Sequence, residues 1–227
     1  MKDLLTRIFY YANLGWVKAL LLVVSSRDVK GKENVPRKGP LIVVSNHLSN
    51  GDPPVVTSTV PRRLAWMTKA EWFKTPVIGW LFKMAGMVPV RRFEADLKAL
   101  RKAQEVLENG GALGMFPEGT RSGPKGLQKG EPGSALIALR SGAPVQPMAL
   151  WGTEHVKLPR ALLQRTHAHV RFGKPFVLKP QGSKVTREDI ERGTETIMRE
   201  IAALLPERLR GVYKTEPAPQ EATTKSE

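Results

Sequence analysis

Leu41-Ile42-Val43-Val44-Ser45-Asn46-His47-Leu48-Ser49-Asn50-Gly51-Asp52-Pro53 is the stretch on which the fold turns. Four consecutive aliphatic residues running into a polar turn predict a short strand buried on both faces. Ser49-Asn50-Gly51 is turn chemistry, and Asp52 before Pro53 reads as the cap and first residue of a helix. His47 and Asp52 stand five positions apart, about 140° of rotation on a regular helix, so they meet only if residues 48–51 turn tightly. A neutral imidazole, with a pKa of about 6.5, accepts an alcohol's proton at neutral pH. A carboxylate on its other ring nitrogen fixes the tautomer and stabilises the imidazolium that forms. The plainer alternative is that Asp52 only caps a helix and His47 only ends a strand.

The pattern repeats downstream. Ala112-Leu113-Gly114-Met115 breaks into Phe116-Pro117-Glu118-Gly119-Thr120-Arg121-Ser122, which projects Glu118 and Arg121 from the end of a second strand. Ligands of open α/β sheets bind beyond the carboxyl ends of strands, so both loops are expected to border one crevice. Strands are predicted over 41–45, 64–68, 87–91, 112–116, 144–150 and 168–172, and helices over 53–59, 71–84, 95–109, 131–141 and 187–205. Leu97, Leu100, Ala103 and Leu107 give one helix its apolar side. Thr186 and Asp189 form a capping-box pattern before the last helix. The alternation predicts an α/β domain, a largely parallel or mixed sheet flanked by helices.

The two loops together resemble the glycerophospholipid acyltransferases, specifically the 1-acylglycerol-3-phosphate acyltransferases. Asn46, His47, Ser49 and Asp52 match that family's Asn-His-x-Ser-x-x-Asp block, and Phe116 to Ser122 match its Phe-Pro-Glu-Gly-Thr-Arg-Ser block without a departure. Gly86-Met87-Val88-Pro89-Val90-Arg91-Arg92 resembles the block between them, with Pro89 where a bulky apolar residue is usual. Ala143 to Leu150 resemble the fourth block, with Gln146 in an apolar place.

The resemblance implies direct transfer of a fatty acyl group from an acyl thioester to the sn-2 hydroxyl of 1-acylglycerol-3-phosphate, giving phosphatidic acid. His47 would be the base and Asp52 its partner. Lys69, Arg91 or Arg92, and Arg121 would grip the acceptor's phosphate, with Gly119 and Thr120 in the same binding loop. Glu118 would position acceptor hydroxyls or hold Arg121. No metal or resident cofactor is expected, the co-substrate being acyl-CoA or an acyl-carrier-protein thioester. Trp72–Met84 would line an acyl channel or simply fill the core. Glycerol-3-phosphate or another lysolipid is an alternative acceptor. Ser49 as a hydrolase nucleophile lacks the Gly-x-Ser-x-Gly elbow. His167 and His169 share a strand face as metal ligands would, with no third ligand nearby in sequence.

The chain has 227 residues, no cysteine and a formal net charge of +15. A thiolate zinc site, a disulfide framework and a cysteine nucleophile are thereby excluded. The charge is uneven: residues 155–187 carry eight Lys/Arg and no acid. Such a body favours an anionic partner: nucleic acid, an anionic membrane or an acidic substrate. Residues 8–26 decide for the membrane: they carry Lys18 as their one charge, with Phe9, Tyr10, Tyr11 and Trp16 suited to a bilayer interface. The segment is borderline for a span of about 20 residues, so a monotopic anchor on the cytoplasmic face of the cell membrane is expected. The organisation reads as an anchoring helical segment over 1–26, an acyltransferase domain over 27–213 and a disordered tail over 214–227. A non-catalytic membrane-binding module is the rival of another class.

Overall fold

The computed structural model describes residue 15 and residues 25–84, 86–91, 96–122, 126–153 and 166–214. The expected anchor, apart from Gly15, Ser25 and Ser26, lies outside the described residues, as do Arg92 and residues 215–227 of the tail. Within the described residues no helix is long and apolar enough to cross a membrane.

Among the described residues, seven strands form one sheet: β1 (Ser25–Lys30), β2 (Leu41–Ser45), β3 (Ala65–Lys69), β4 (Val88–Val90), β5 (Ala112–Met115), β6 (Val145–Trp151) and β7 (Thr166–Phe172), in the order β1-β7-β6-β2-β5-β3-β4. Five neighbouring pairs are parallel, and only β6 and β7 are antiparallel. The helices are α1 (Asp52–Thr59), α2 (Pro76–Met84), α3 (Leu97–Glu108), α4 (Gly133–Ser141) and α5 (Arg187–Leu204).

The period of two in β2 sorts the core into two layers. Leu41 and Val43 join Val55 and Val56 of α1 on one face. Ile42 and Val44 join Ala103 and Leu107 of α3, Ala138 of α4 and Ile197 and Ile201 of α5 on the other. Both faces being covered, β2 and β5 are buried at every position, as their aliphatic runs demand. The Thr186–Asp189 capping box forms, with Asp189 also accepting from Gln181 N at 3.0 Å. Leu97 departs from expectation: Asp96 caps α3 through Lys98 N and Ala99 N, and Leu97 stands exposed in the first turn while Ala99 takes the buried place.

β1 has no counterpart among the expected strands, and it corrects the anchor's boundary, since Ser25 and Ser26 already belong to the sheet. Ser-Ser-Arg-Asp-Val-Lys shows no apolar alternation because it is an edge strand whose polar side chains find partners. Arg27 donates to Ser58 Oγ at 2.7 Å, and Asp28 pairs with Arg171, which holds its carboxyl below the usual range. Gln146 is explained in the same way. Pro147 in the middle of β6 has no N–H, and the buried Gln146 amide donates to Pro147 O at 3.2 Å and to Gly173 O at 2.8 Å.

Candidate active site

β2, β5, β3 and β4 all point the same way, so His47, Phe116, Lys69 and Arg91 leave from a single edge of the sheet. The turn between His47 and Asp52 closes as its composition predicts, with Asp52 N donating to Ser49 O at 3.1 Å. His47 Nδ1 then lies 2.8 Å from Asp52 Oδ2, and both residues are buried. Asp52 is the first residue of α1, not its cap. Gly51 takes the cap position, and Pro53 and Pro54 follow in the first turn, where a missing N–H costs nothing.

The Asp52 carboxylate is held from every side. Oδ2 also accepts from Leu48 N at 2.6 Å and Ser49 N at 2.7 Å, while Oδ1 accepts from Ser49 Oγ at 3.2 Å and Thr153 Oγ1 at 2.6 Å. Ser49 is therefore engaged with Asp52 and Gly51 N, and not with His47, so the imidazole does not activate it as a nucleophile. Asn46 acts as a piece of backbone. Its amide accepts from Leu150 N at 2.8 Å and donates to Leu150 O at 2.7 Å, pinning the end of β2 to β6.

The imidazole ring is set by aromatic packing that the motif residues do not announce. His47 stacks on Phe116 at 4.1 Å between centroids, and Phe116 on Trp66 at 4.8 Å. Trp66 is fixed in turn by its indole N–H to Thr57 Oγ1 at 2.8 Å. Gly114 makes this stack possible, since a Cβ there would lie 2.9 Å from Trp66 ring atoms. With Nδ1 committed to Asp52, Nε2 is the nitrogen presented to a reacting group. Among the described residues none bonds to it.

Glu118 corrects its expected role. It is 3 % exposed, and its oxygens accept from His47 N at 3.1 Å, Ser122 Oγ at 2.7 and 2.8 Å and Gln128 N at 3.0 Å. It binds the two motif loops to each other rather than holding the Arg121 side chain. Burial pushes its carboxyl above the ordinary value, against the pull of these hydrogen bonds. Ser122 N donates back to His47 O, completing the link. Gly119 takes φ +65°, the left-handed region that only glycine adopts freely. That turn leaves Thr120 and Arg121 exposed, with Arg121 O anchored by Gln128 Nε2 at 3.0 Å.

Lys69 ends β3 and is half-exposed, 3.6 Å from Glu71. Its register partner in β4 is Val90, so Arg91 emerges beside it. At about 4.8 Å per strand, β4 is roughly 14 Å from β2. Lys69 and Arg91 thus stand on the far side of the crevice, and Arg121 stands nearer the base. Trp72–Met84 is not one helix. A 3-10 turn over Ala70–Lys74 precedes α2, and Trp72, Val77 and Trp80 are exposed rather than filling the core. His167 and His169 bond to Ser26 and Asp28, and His169 also stacks on Trp151. Among the described residues no three His, Cys, Asp or Glu side chains cluster as a metal site.

Known proteins resemble this chain in sequence and in fold. The chloroplastic 1-acyl-sn-glycerol-3-phosphate acyltransferase LPAT1 of Arabidopsis thaliana is 31% identical over 173 residues, 74% of this chain and 48% of that protein. The lyso-ornithine lipid O-acyltransferase of Pseudomonas aeruginosa is 32% identical over 136 residues, 60% of this chain and 52% of that one. The chain spans about half the length of the curated relatives it matches. The crystal structure of the 1-acyl-sn-glycerophosphate acyltransferase PlsC from Thermotoga maritima superposes with a TM-score of 0.66 at 29% identity, covering 86% of this chain and 77% of that one. The family model described as Acyltransferase matches residues 26–151. That match is more than half of the chain and runs from β1 through β6, taking in both loops of the crevice: the chain belongs to the acyltransferase family.

Proposed function

We propose that this protein transfers a fatty acyl group from an acyl thioester, acyl-CoA or acyl carrier protein, to the sn-2 hydroxyl of 1-acylglycerol-3-phosphate, forming phosphatidic acid. The observation that carries the reading is the 2.8 Å contact between His47 Nδ1 and Asp52 Oδ2, which leaves Nε2 to the substrate. His47 Nε2 takes the proton of the acceptor hydroxyl as its oxygen attacks the thioester carbonyl. The tetrahedral intermediate collapses with cleavage of the C–S bond, and the departing thiolate regains that proton from the imidazolium. No acyl-enzyme forms. Asp52 holds the tautomer and neutralises the transient charge. Arg121, with Lys69 and either Arg91 or Arg92, binds the acceptor's phosphate. The Lys69–Glu71 pair is exposed and screened by solvent, so the lysine is readily exchanged onto a phosphate.

Residues 1–24, ahead of β1, hold the enzyme monotopically at the cytoplasmic face of the membrane, and residues 25–213 form the catalytic domain. The aromatic residues and single charge of residues 8–26 support the first assignment. A second acceptor, a lyso-ornithine lipid, is favoured by the likeness to the lyso-ornithine lipid O-acyltransferase.

The test is purified protein with lysophosphatidic acid, lyso-ornithine lipid and glycerol-3-phosphate against acyl-CoA and acyl-carrier-protein donors, products read by mass. Phosphatidic acid from the first acceptor is expected. Vesicle binding without thioester consumption would leave only a membrane-binding module. Deletion of residues 1–24, which leaves β1 whole, is expected to release the protein from salt-resistant membrane association.

A further inference from the structure

We propose that the outer face of α2 and the turn before it form a second membrane-docking surface, one that seats on an anionic phospholipid bilayer beside the mouth of the active site. A surface helix of an α/β domain ordinarily turns its apolar stripe inward and a polar face outward. Here the buried side of the helix is turned to the Ala70–Lys74 turn that precedes it. Gly79 is buried so closely that a Cβ there would lie 2.3 Å from Phe73 O, and Phe73 meets Phe82 edge-on at 5.7 Å. The outward side is apolar as well: Trp72 is 50 %, Val77 68 % and Trp80 54 % exposed. Val77 and Trp80 lie one helical turn apart on α2, with Trp72 in the turn ahead.

Charge names the occupant. Lys69, Lys74 and Lys83 are exposed around this stripe, and the one acid among them, Glu71, faces Lys69. Tryptophan interleaved with lysine suits the headgroup layer, where the indole keeps its apolar body in lipid and the ammonium groups meet phosphates. Position supports the same occupant. β3 delivers the Ala70–Lys74 turn to the edge that carries His47, so a bilayer seated there would offer lipid directly to the crevice. The inference rests on the proposed function only in taking the acceptor to be a membrane lipid.

The test uses the full chain with Trp72→Ala/Trp80→Ala, and separately with Lys74→Gln/Lys83→Gln. Partition is measured onto vesicles of phosphatidylcholine with phosphatidylglycerol and onto phosphatidylcholine alone. Losing two interfacial indoles should weaken partition by at least about tenfold. The lysine pair should weaken the preference for the anionic vesicles and lessen the salt dependence. Far-ultraviolet circular dichroism should keep its helix and strand signal, and transfer to a short-chain, monomeric lysophosphatidic acid should stay within about twofold, the reacting groups being untouched. Unchanged partition would overturn the proposal. So would an equal loss on the monomeric acceptor, which would make this surface part of an acyl channel, or loss of self-association in sedimentation velocity without loss of partition. A native protein that transfers no acyl group, yet loses partition with the tryptophans, would remove the enzymatic reading and leave this surface standing.

Discussion

Thr153 donates its hydroxyl to Asp52 Oδ1 across 2.6 Å, although 101 positions separate them in the chain. Thr153 follows the end of β6 and is buried. Among the described residues it is the one donor to Asp52 that comes from outside the His47–Asp52 segment, so it ties the carboxylate to the sheet rather than to its own turn. A buried hydrogen bond to a charged group contributes roughly 1.5–3 kcal/mol. Thr153→Val is therefore expected to lower kcat by about ten- to a hundredfold with little change in KM, and Thr153→Ser to restore most of it. Steady-state kinetics beside a melting curve check this. A fall in melting temperature with kcat intact would make Thr153 a packing residue only.

His47→Ala should reduce turnover by at least about a hundredfold while the fold survives, because one positioned base contributes typically 10²–10⁴-fold. Asp52→Asn should lose both activity and stability. Leu48 N and Ser49 N both point at Oδ2 together with His47 Nδ1, and an amide nitrogen there would face donors with a donor. Turnover and thermal unfolding of the two variants separate catalysis from architecture.

Gly114→Ala should disturb the base from a distance. The added methyl would sit 2.9 Å from Trp66, whose ring supports Phe116 and through it His47. Overpacking of this kind costs typically 1–3 kcal/mol. A lower melting temperature together with a changed near-ultraviolet dichroism signal is the expected outcome. Unchanged tryptophan signals would mean that the stack absorbs the methyl.

Arg121→Ala should raise the KM for lysophosphatidic acid by about one to two orders of magnitude and leave that for the thioester almost unchanged. Arg121→Lys should recover part of the loss, since a point charge makes no bidentate contact. Monoacylglycerol, lacking a phosphate, should be indifferent to both substitutions. An equal loss on charged and neutral acceptors would assign Arg121 to organising its loop.

Asp189 gives a pH signature outside the site. The backbone N–H groups of Thr186 and Gln181 hold its carboxyl down at about 2. A lowered folded-state value means stability that is complete above the unfolded value and lost as pH falls through the folded one. The gap in melting temperature between the native chain and Asp189→Asn should thus be full at neutral pH and shrink from about pH 4 towards about pH 2. A gap constant across that window would show that the cap acts without its charge.

The buried strands were legible because their aliphatic runs say little else: Leu41–Val44 and Ala112–Met115 fall where expected, and so does the turn that joins His47 to Asp52. β1 was hidden because edge strands are written in polar residues, and its pairing with β7 depends on residues about 140 positions away. The site shows the same division. The base and its carboxylate could be read from local spacing. Thr153, Trp66 and Gly114 could not, because each acts through a contact made only when the sheet assembles. Glu118 was visible as a motif residue, yet its partners His47 N and Gln128 N lie on other segments, so its structural duty had no local sign.

The Glu118 link between His47 and the Ser122 loop makes those two segments a single cassette. A graft of either loop alone into a foreign sheet would arrive without the acceptors and donors that shape it. Exchange of acceptor preference between relatives must therefore carry both loops together, or be confined to Lys69 and Arg91 on the opposite bank. The amide of His47 also becomes a reporter. Its hydrogen exchange should be among the slowest on this edge, and it should quicken when Ser122 or Gln128 is changed, before any loss of global stability.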